Sequence, residues 1–347
     1  MTVRQVAESL TGGSESGKYK TENVKRYVVL ACLVLCPLLV IVAQTDPQTG
    51  QYMFLQSTYN PAAAGDGGLM KVAGMHRIQF TGITDMPMTT YFTFSSPFMI
   101  AKTQHAAGVR FLNDMYGLFS NQSFHVQYAY RHKLGNGFLC AGVDLGLANL
   151  SFKAEKANLD SIEALGADGY HKGNDEALPQ ATGSNGVTGM GFDMGVGLYY
   201  ASPVWWASAS YSHVTRPAIS WSDRTFFTLV GTLYLAGGYN WRLKNRNWTL
   251  RPSMMVMTDF VSWDVNLTML AEVKERYRFG AGYRLAGSVN VLLGMDIING
   301  LQLGYTYELP ANRLIRGTYG SHEIYLAYGF GILKPKRTNR YKSVRYL

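Results

Sequence analysis

The chain has 347 residues, 47% of them hydrophobic, a mean hydropathy of −0.05 and a formal net charge of +9. That balance excludes a disordered polymer and a bundle of apolar membrane helices. With 37 glycines and 23 tyrosines but only 11 prolines and 3 cysteines, it points instead to a β-protein with close backbone contacts and many amphipathic aromatic positions.

The chain opens with a segment to be set apart. Lys25 and Arg26 precede the apolar run 27–43, which ends at Ala43 before the polar Gln44, Thr45 and Asp46. A basic start, an apolar stretch and a small residue form a secretory signal peptide over 1–43. A membrane anchor is the alternative, but the run is short for a hydrocarbon core of roughly 30 Å. A lipid on Cys32, in the lipoprotein-like VLAC (29–32), is a further alternative. Removal of the signal leaves Cys140 as the last cysteine, flanked in its strand pattern by Gly142 and Asp144. A lone cysteine forms no internal disulfide, and no spacing of cysteine and histidine suggests a metal.

Residues 44–68 come next as a separate segment. TDPQTGQYMFLQSTYNPAAAG (45–65) is aromatic and rich in turn residues. Pro61 biases Asn60 toward an extended conformation, and Ala62, Ala63, Ala64 and Gly65 permit close packing. The segment is too polar for lipid and too apolar to float in water. It is expected to pack into or under one mouth of the domain that follows, the alternative being a disordered leader.

From residue 69 onward apolar residues recur with period two. In 123–131, Phe124, Val126, Tyr128 and Tyr130 alternate with Ser123, His125, Gln127, Ala129 and Arg131. In 321–333, His322, Ile324, Leu326, Tyr328, Phe330 and Ile332 oppose Glu323, Tyr325, Ala327, Gly329 and Gly331. Such segments fall at 69–80, 88–97, 103–112, 121–133, 138–153, 188–201, 204–214, 226–242, 248–260, 264–273, 276–285, 288–298, 301–307 and 322–333.

The connections alternate in length. Those at 81–87, 113–120, 154–187, 215–225, 261–263, 286–287 and 308–321 include the long ones. Those at 98–102, 134–137, 202–203, 243–247, 274–275 and 299–300 are uniformly short, and Asn299–Gly300 is a hairpin signal. One plain rim and one elaborated rim fit a transmembrane up-and-down antiparallel β-barrel of about 14 strands over 69–333. Lipid leaves no backbone edge unpaired, so the sheet has to close. The apolar face then meets lipid and the polar, glycine-rich face lines a lumen. Tyr199, Tyr200, Tyr211, Tyr239 and Tyr305 are expected in interfacial girdles. An even strand count puts both termini on the same side, expected to be the periplasm of a Gram-negative cell.

Chemistry-bearing motifs are few. GMGFDMGVG (189–197) is glycine-rich, but its glycines alternate with bulky residues, as in a strand and not a phosphate loop. His76, His125 and His132 are read as lumen or rim residues. Asp144, Asp193, Asp259 and Asp296 are expected inside with Arg77, Arg131, Arg278 and Arg284 as a charge network across the lumen; a catalytic carboxylate pair is the alternative. No nucleophile elbow, P-loop or zinc signature points to an enzyme, and no cofactor is expected. The tail 334–347 carries Lys334, Lys336, Arg337, Arg340, Lys342 and Arg345 and no acidic side chain. It holds most of the +7 charge of residues 44–347, so basicity is local and gives no argument for nucleic acid.

The stretch DPQ…QYMF…YNPAAAG resembles the N-terminal signature of the PorP/SprF family of Bacteroidetes outer-membrane proteins. The matching positions are Asp46–Pro47, Gln51–Tyr52–Met53, Tyr59–Asn60–Pro61–Ala62 and Gly65. HRIQFTGI (76–83) is similar to that family's Tyr-Arg-x-Gln-Trp-x-Gly at Arg77, Gln79 and Gly82, with His76 and Phe80 departing as related planar residues. GVRFLNDMYGLFS (108–120) resembles its glycine-rich strand and loop at Asn113, Asp114 and Gly117. VQYAYRHKLGNG and the terminal SHEIYLAYGF fit as well, so the resemblance spans most of 45–333, whereas the 154–187 connection and the tail are less typical.

The resemblance implies a non-enzymatic component of the type IX secretion system, which supports protein secretion and gliding motility. It implies contact with a periplasmic ring lipoprotein and its associated subunits, or with the C-terminal sorting domain of a secreted cargo. Tyr52, Met53, Tyr59, Asn60, Pro61 and the six tail cations are the expected partner contacts. An outer-membrane pore or transporter for small solutes, hydrophobic compounds among them, is the competing reading.

Overall fold

A computed structural model describes residues 46–152, 187–221, 226–244, 247–298 and 300–331. The signal segment, most of the 154–187 connection and the basic tail lie outside these residues. The description below concerns the compact unit that begins at Gln44.

The strands are β1 (Met70–Ile78), β2 (Met88–Ile100), β3 (Thr103–Tyr116), β4 (Phe119–Leu134), β5 (Gly137–Phe152), β6 (Val187–Ala201), β7 (Trp205–Ser212), β8 (Ala218–Ser220), β9 (Phe226–Thr228), β10 (Thr232–Tyr239), β11 (Trp241–Arg242), β12 (Trp248–Thr258), β13 (Trp263–Val273), β14 (Tyr277–Arg284), β15 (Ser288–Ile298), β16 (Leu301–Pro310) and β17 (Ser321–Phe330). Each wall strand pairs antiparallel with its sequence neighbour. The ring closes where β1 pairs with β17, from Met70 opposite Phe330 to Ile78 opposite His322. With β10 and β12 also paired, the wall is a closed barrel of 14 strands. β8 and β9 form a separate two-stranded sheet, and β11 prolongs β10 along β12.

Closure turns a soluble protein's pattern inside out. On β4 the outward Phe124, Val126, Tyr128 and Tyr130 are exposed, while the inward His125, Gln127 and Ala129 are at most 1% exposed. The same phase holds on β17, where Ile324, Leu326 and Tyr328 face out and Glu323, Tyr325 and Ala327 face in. An apolar outside and a polar inside suit a wall whose solvent is hydrocarbon. Among the described residues no helix is long and apolar enough to cross a membrane; the strands do the crossing.

Four local expectations need correction. The 113–120 connection is a tight turn at Gly117 and Leu118, because β3 and β4 stay paired out to Tyr116 and Phe119; Asn113 and Asp114 are therefore strand residues. The run 226–242 is not one strand. Phe226–Thr228 pairs with β8, and Ile219 and Leu229 pack on Ala148 and Leu150 of the inner wall. Tyr199 is not a girdle residue: it points inward, 1% exposed, and donates to Asp66 at 3.2 Å. His76, in turn, lies on the outer face beside Thr90, since Arg77 takes the inward phase of β1.

Candidate functional site

The interior of the barrel is filled by its own N-terminal segment. Residues 46–68 run through the lumen as irregular chain with single 3-10 turns at Gln56–Thr58, Pro61–Ala63 and Asp66–Gly68. Asn60 is extended (φ −132°, ψ 110°) as Pro61 requires, and its Oδ1 accepts from the Ala62 N–H at 2.9 Å. Irregular chain inside a membrane protein needs partners for its backbone groups; the segment's own turns supply some and the barrel wall supplies others.

Those partners come from strands around the ring. Glu323 of β17 accepts from the Gly50 and Gln51 N–H groups at 2.8 and 2.9 Å. Lys71 of β1 donates to the Phe54 carbonyl at 2.8 Å, and Gln127 of β4 to the Ser57 carbonyl at 2.8 Å. Ser210 of β7 donates to the Tyr59 carbonyl at 2.6 Å. Asn60 Nδ2 donates to the Leu198 carbonyl of β6 and to Ser208 Oγ of β7 at 2.9 and 2.7 Å. Arg110 and Arg131 donate to the carbonyls of Thr58 and Gly65, and Tyr52 shares a 2.9 Å hydrogen bond with Ser253 of β12. Phe54 stacks on Tyr325, and Arg278 lies 5.1 Å from the centre of the Phe54 ring.

Two inward glycines set the depth of the seat. A Cβ on Gly197 would strike the Asn60 side chain, and one on Gly142 would strike the backbone of Pro61 and Ala62. The glycine alternation of 189–197 thus leaves room for another piece of chain.

Tyr52, Met53, Tyr59, Asn60 and Pro61 are all buried against the barrel's inner wall. In this arrangement they contact the chain's own wall, to which the side chains of Tyr52 and Asn60 are hydrogen-bonded. Lys334, Lys336, Arg337, Arg340, Lys342 and Arg345 lie outside the described residues.

The interior charges form three groups. Toward the long-loop rim, Arg77 pairs with Glu308 at 2.7 Å and Glu323 at 3.2 Å, and Arg284 with Glu308 at 2.8 Å and Asp264 at 3.5 Å. Toward the short-turn rim, Arg278 pairs with Asp296 and with Glu272, which also holds Arg251 at 2.9 Å. On the β3–β7 side, Asp144 lies 3.6 Å from Arg110 and 3.5 Å from His125. Asp193 lies 3.4 Å from His125 and 2.8 Å from His213, and His213 lies 2.9 Å from Asp46.

Of the eight charges singled out in the sequence, Arg278 and Asp296 are paired with each other. Arg131 lies 3.8 Å from Asp66. Asp259 sits half-buried just past β12. Of the other partners, Glu272, Glu308, Glu323, Arg110 and Asp264 also occupy the polar phase of their strands, which is the signal that could have found them.

Burial by itself raises the Asp46 pKa and lowers that of His213. Their mutual attraction outweighs it: Asp46 is held at about 2 and His213, between two carboxylates, is raised to about 10. Around this pair the free space is small, a cavity of about 20 Å³ reached by Tyr91, Arg110 and Tyr234, room for about one water molecule. Among the described residues no cluster has the makings of a metal site.

The profile of the family described as "Type IX secretion system membrane protein PorP/SprF" matches residues 41–328. None of the curated proteins matches this sequence. Among solved structures, the chain is similar to the CymD monoaromatic hydrocarbon channel, with 11% identity over 84% of this chain and 95% of that one and a TM-score of 0.47. It is also similar to the Pseudomonas putida toluene transporter TodX, with 10% identity over 82% and 94% and a TM-score of 0.43. For the Acinetobacter baumannii outer membrane protein Omp33 the identity is 9% over 76% and 97%, with a TM-score of 0.42.

Proposed function

We propose a role that proceeds from membership: the chain belongs to the type IX secretion system membrane protein PorP/SprF family. As an integral outer-membrane barrel of that system it works as a closed anchor, not as a pore. It couples surface secretion, or one secreted cargo, to the periplasmic ring proteins, and no catalytic step is part of this role. The observation that carries the reading is the lumen filled by residues 46–68 and bonded to strands on opposite sides of the ring. A solute channel leaves a continuous path; here polar groups of the lining on several strands are bonded to the chain's own backbone.

In this reading the short turns and both termini face the periplasm. The tail cations, Lys334, Lys336, Arg337, Arg340, Lys342 and Arg345, then reach an acidic surface of the ring lipoprotein or its associated subunits by charge attraction that salt weakens. The test has two arms on the detergent-extracted full chain. Affinity capture should retain the ring lipoprotein, and replacing Lys336, Arg337, Arg340 and Lys342 by Ser should reduce that capture, more at low salt than at high. In planar bilayers the intact chain should give no stable conductance steps. Stable steps together with no retained secretion subunit would overturn the anchor in favour of a pore for small hydrophobic solutes.

A further inference from the structure

The outer wall carries a feature the closed lumen does not explain. A groove of about 670 Å³ crosses β10, β12, β13 and β14, floored by Gly237, Pro252 and Ala281 and walled by Met254, Leu267 and Met269. Its depth comes from small side chains beside long ones. Pro252 has no N–H to give, and the β10–β12 side of the ladder is interrupted there, between Gly238 opposite Ser253 and Trp241 opposite Leu250.

The short-turn end of this groove is both aromatic and cationic. Tyr239, Trp241, Trp248 and Tyr277 are exposed there, which marks the level of lipid headgroups. Arg242 ends β11 and Lys244 lies in the turn that leads from it to β12, while Lys274 and Arg276 lie in the turn between β13 and β14. All four are exposed. The Lys274 N–H donates to the Asn247 carbonyl at 2.7 Å, which joins the two turns. Among the described residues of these turns Glu275 is the one carboxylate.

We propose that this wall holds one anionic phospholipid, with an acyl chain in the groove and its phosphate on Arg242, Lys244 and Lys274. An apolar slot alone would take any chain in the membrane. An apolar slot ending in an excess of cations selects a negative headgroup. Arg276 is already engaged, donating to the Asp296 carbonyl at 3.2 Å and lying 5.6 Å over the Tyr277 ring, so it fixes the turn and leaves the other three to the phosphate. The site lies on the lipid face and is independent of the anchoring role above.

The experiment is native mass spectrometry of the detergent-extracted full chain titrated with phosphatidylglycerol, with diacylglycerol, and with glycerol 3-phosphate. Phosphatidylglycerol should be retained in preference to diacylglycerol, and glycerol 3-phosphate alone should not be retained. Each of Arg242→Ser, Lys244→Ser and Lys274→Ser should weaken phosphatidylglycerol retention roughly fivefold. Ala281→Phe, which fills the groove and leaves the cations in place, should weaken it as well. Heat-modifiable gel migration reports that every variant is folded. Equal retention of phosphatidylglycerol and diacylglycerol, or undiminished retention by folded Ala281→Phe, would overturn the proposal.

Discussion

His213 Nε2 lies 2.9 Å from Asp46 Oδ1, tying the first described residue of the lumen segment to the residue just past β7. On the other ring nitrogen, Nδ1 lies 2.8 Å from Asp193. A histidine between two carboxylates holds its charge, and the segment is latched by it.

The latch has a pH window with two edges. The Asp46 pKa falls from 3.8 to about 2 on docking, so its contribution is fully present above 3.8 and is lost as pH falls through about 2. The His213 pKa rises from 6.5 to about 10, so its contribution is fully present below 6.5 and is lost as pH rises through about 10. Docking is strongest between those edges. Protease access to the segment in detergent should be lowest between pH 4 and 6.5 and should grow on the alkaline side. His213→Gln should flatten the alkaline limb, and an unchanged limb in that variant would remove His213 from the latch.

The glycine seat makes a steric prediction. Gly197→Val and Gly142→Val should each push the Asn60–Ala62 turn off the wall, at an overpacking cost of about 1–3 kcal/mol. The strands tolerate valine, so barrel insertion should persist. The checks are the melting temperature of the folded band on gels and bilayer conductance, which should rise as the lumen opens.

Glu323 serves two masters, the Arg77 guanidinium and two backbone N–H groups of the lumen segment. Removing one member of a buried pair strands the other, at about 3–5 kcal/mol. Glu323→Leu should therefore lower the urea midpoint strongly. Combining it with Arg77→Met should cost less than the two single changes together, because the pair leaves as a unit. Strict additivity would show that the two side chains are not coupled.

Removal of residues 48–65 with the signal segment retained should leave a barrel that inserts but either conducts ions or fails in secretion. A tag or label at Gly173, in the longest connection, should be accessible on intact cells if the long-loop rim faces outward. Labelling only after permeabilisation would reverse the orientation.

The wall was legible in the sequence because a barrel strand repeats every two residues and lipid enforces the phase. Phe124 and Val126 against His125 and Gln127, or Ile324 and Leu326 against Glu323 and Ala327, fix the face of each residue without reference to any partner. Strand ends were harder. Asn113 and Asp114 look like a loop by composition, yet cross-strand pairing carries them into β3. Phe226–Thr228 has strand chemistry but pairs with β8 in a separate small sheet.

What only the tertiary structure decided is who faces whom across the lumen. Alternation puts Arg77, Glu308 and Glu323 inside, but ring closure alone brings β1 beside β17 and so within reach of β16. The same holds for the segment at 46–68. Its turns and its extended Asn60 are local consequences of Pro61 and the small residues after it. Its place inside the barrel depends on glycines at 142 and 197, on His213 and on the carboxylate at 323, positions far along the chain that only the closed sheet gathers around it.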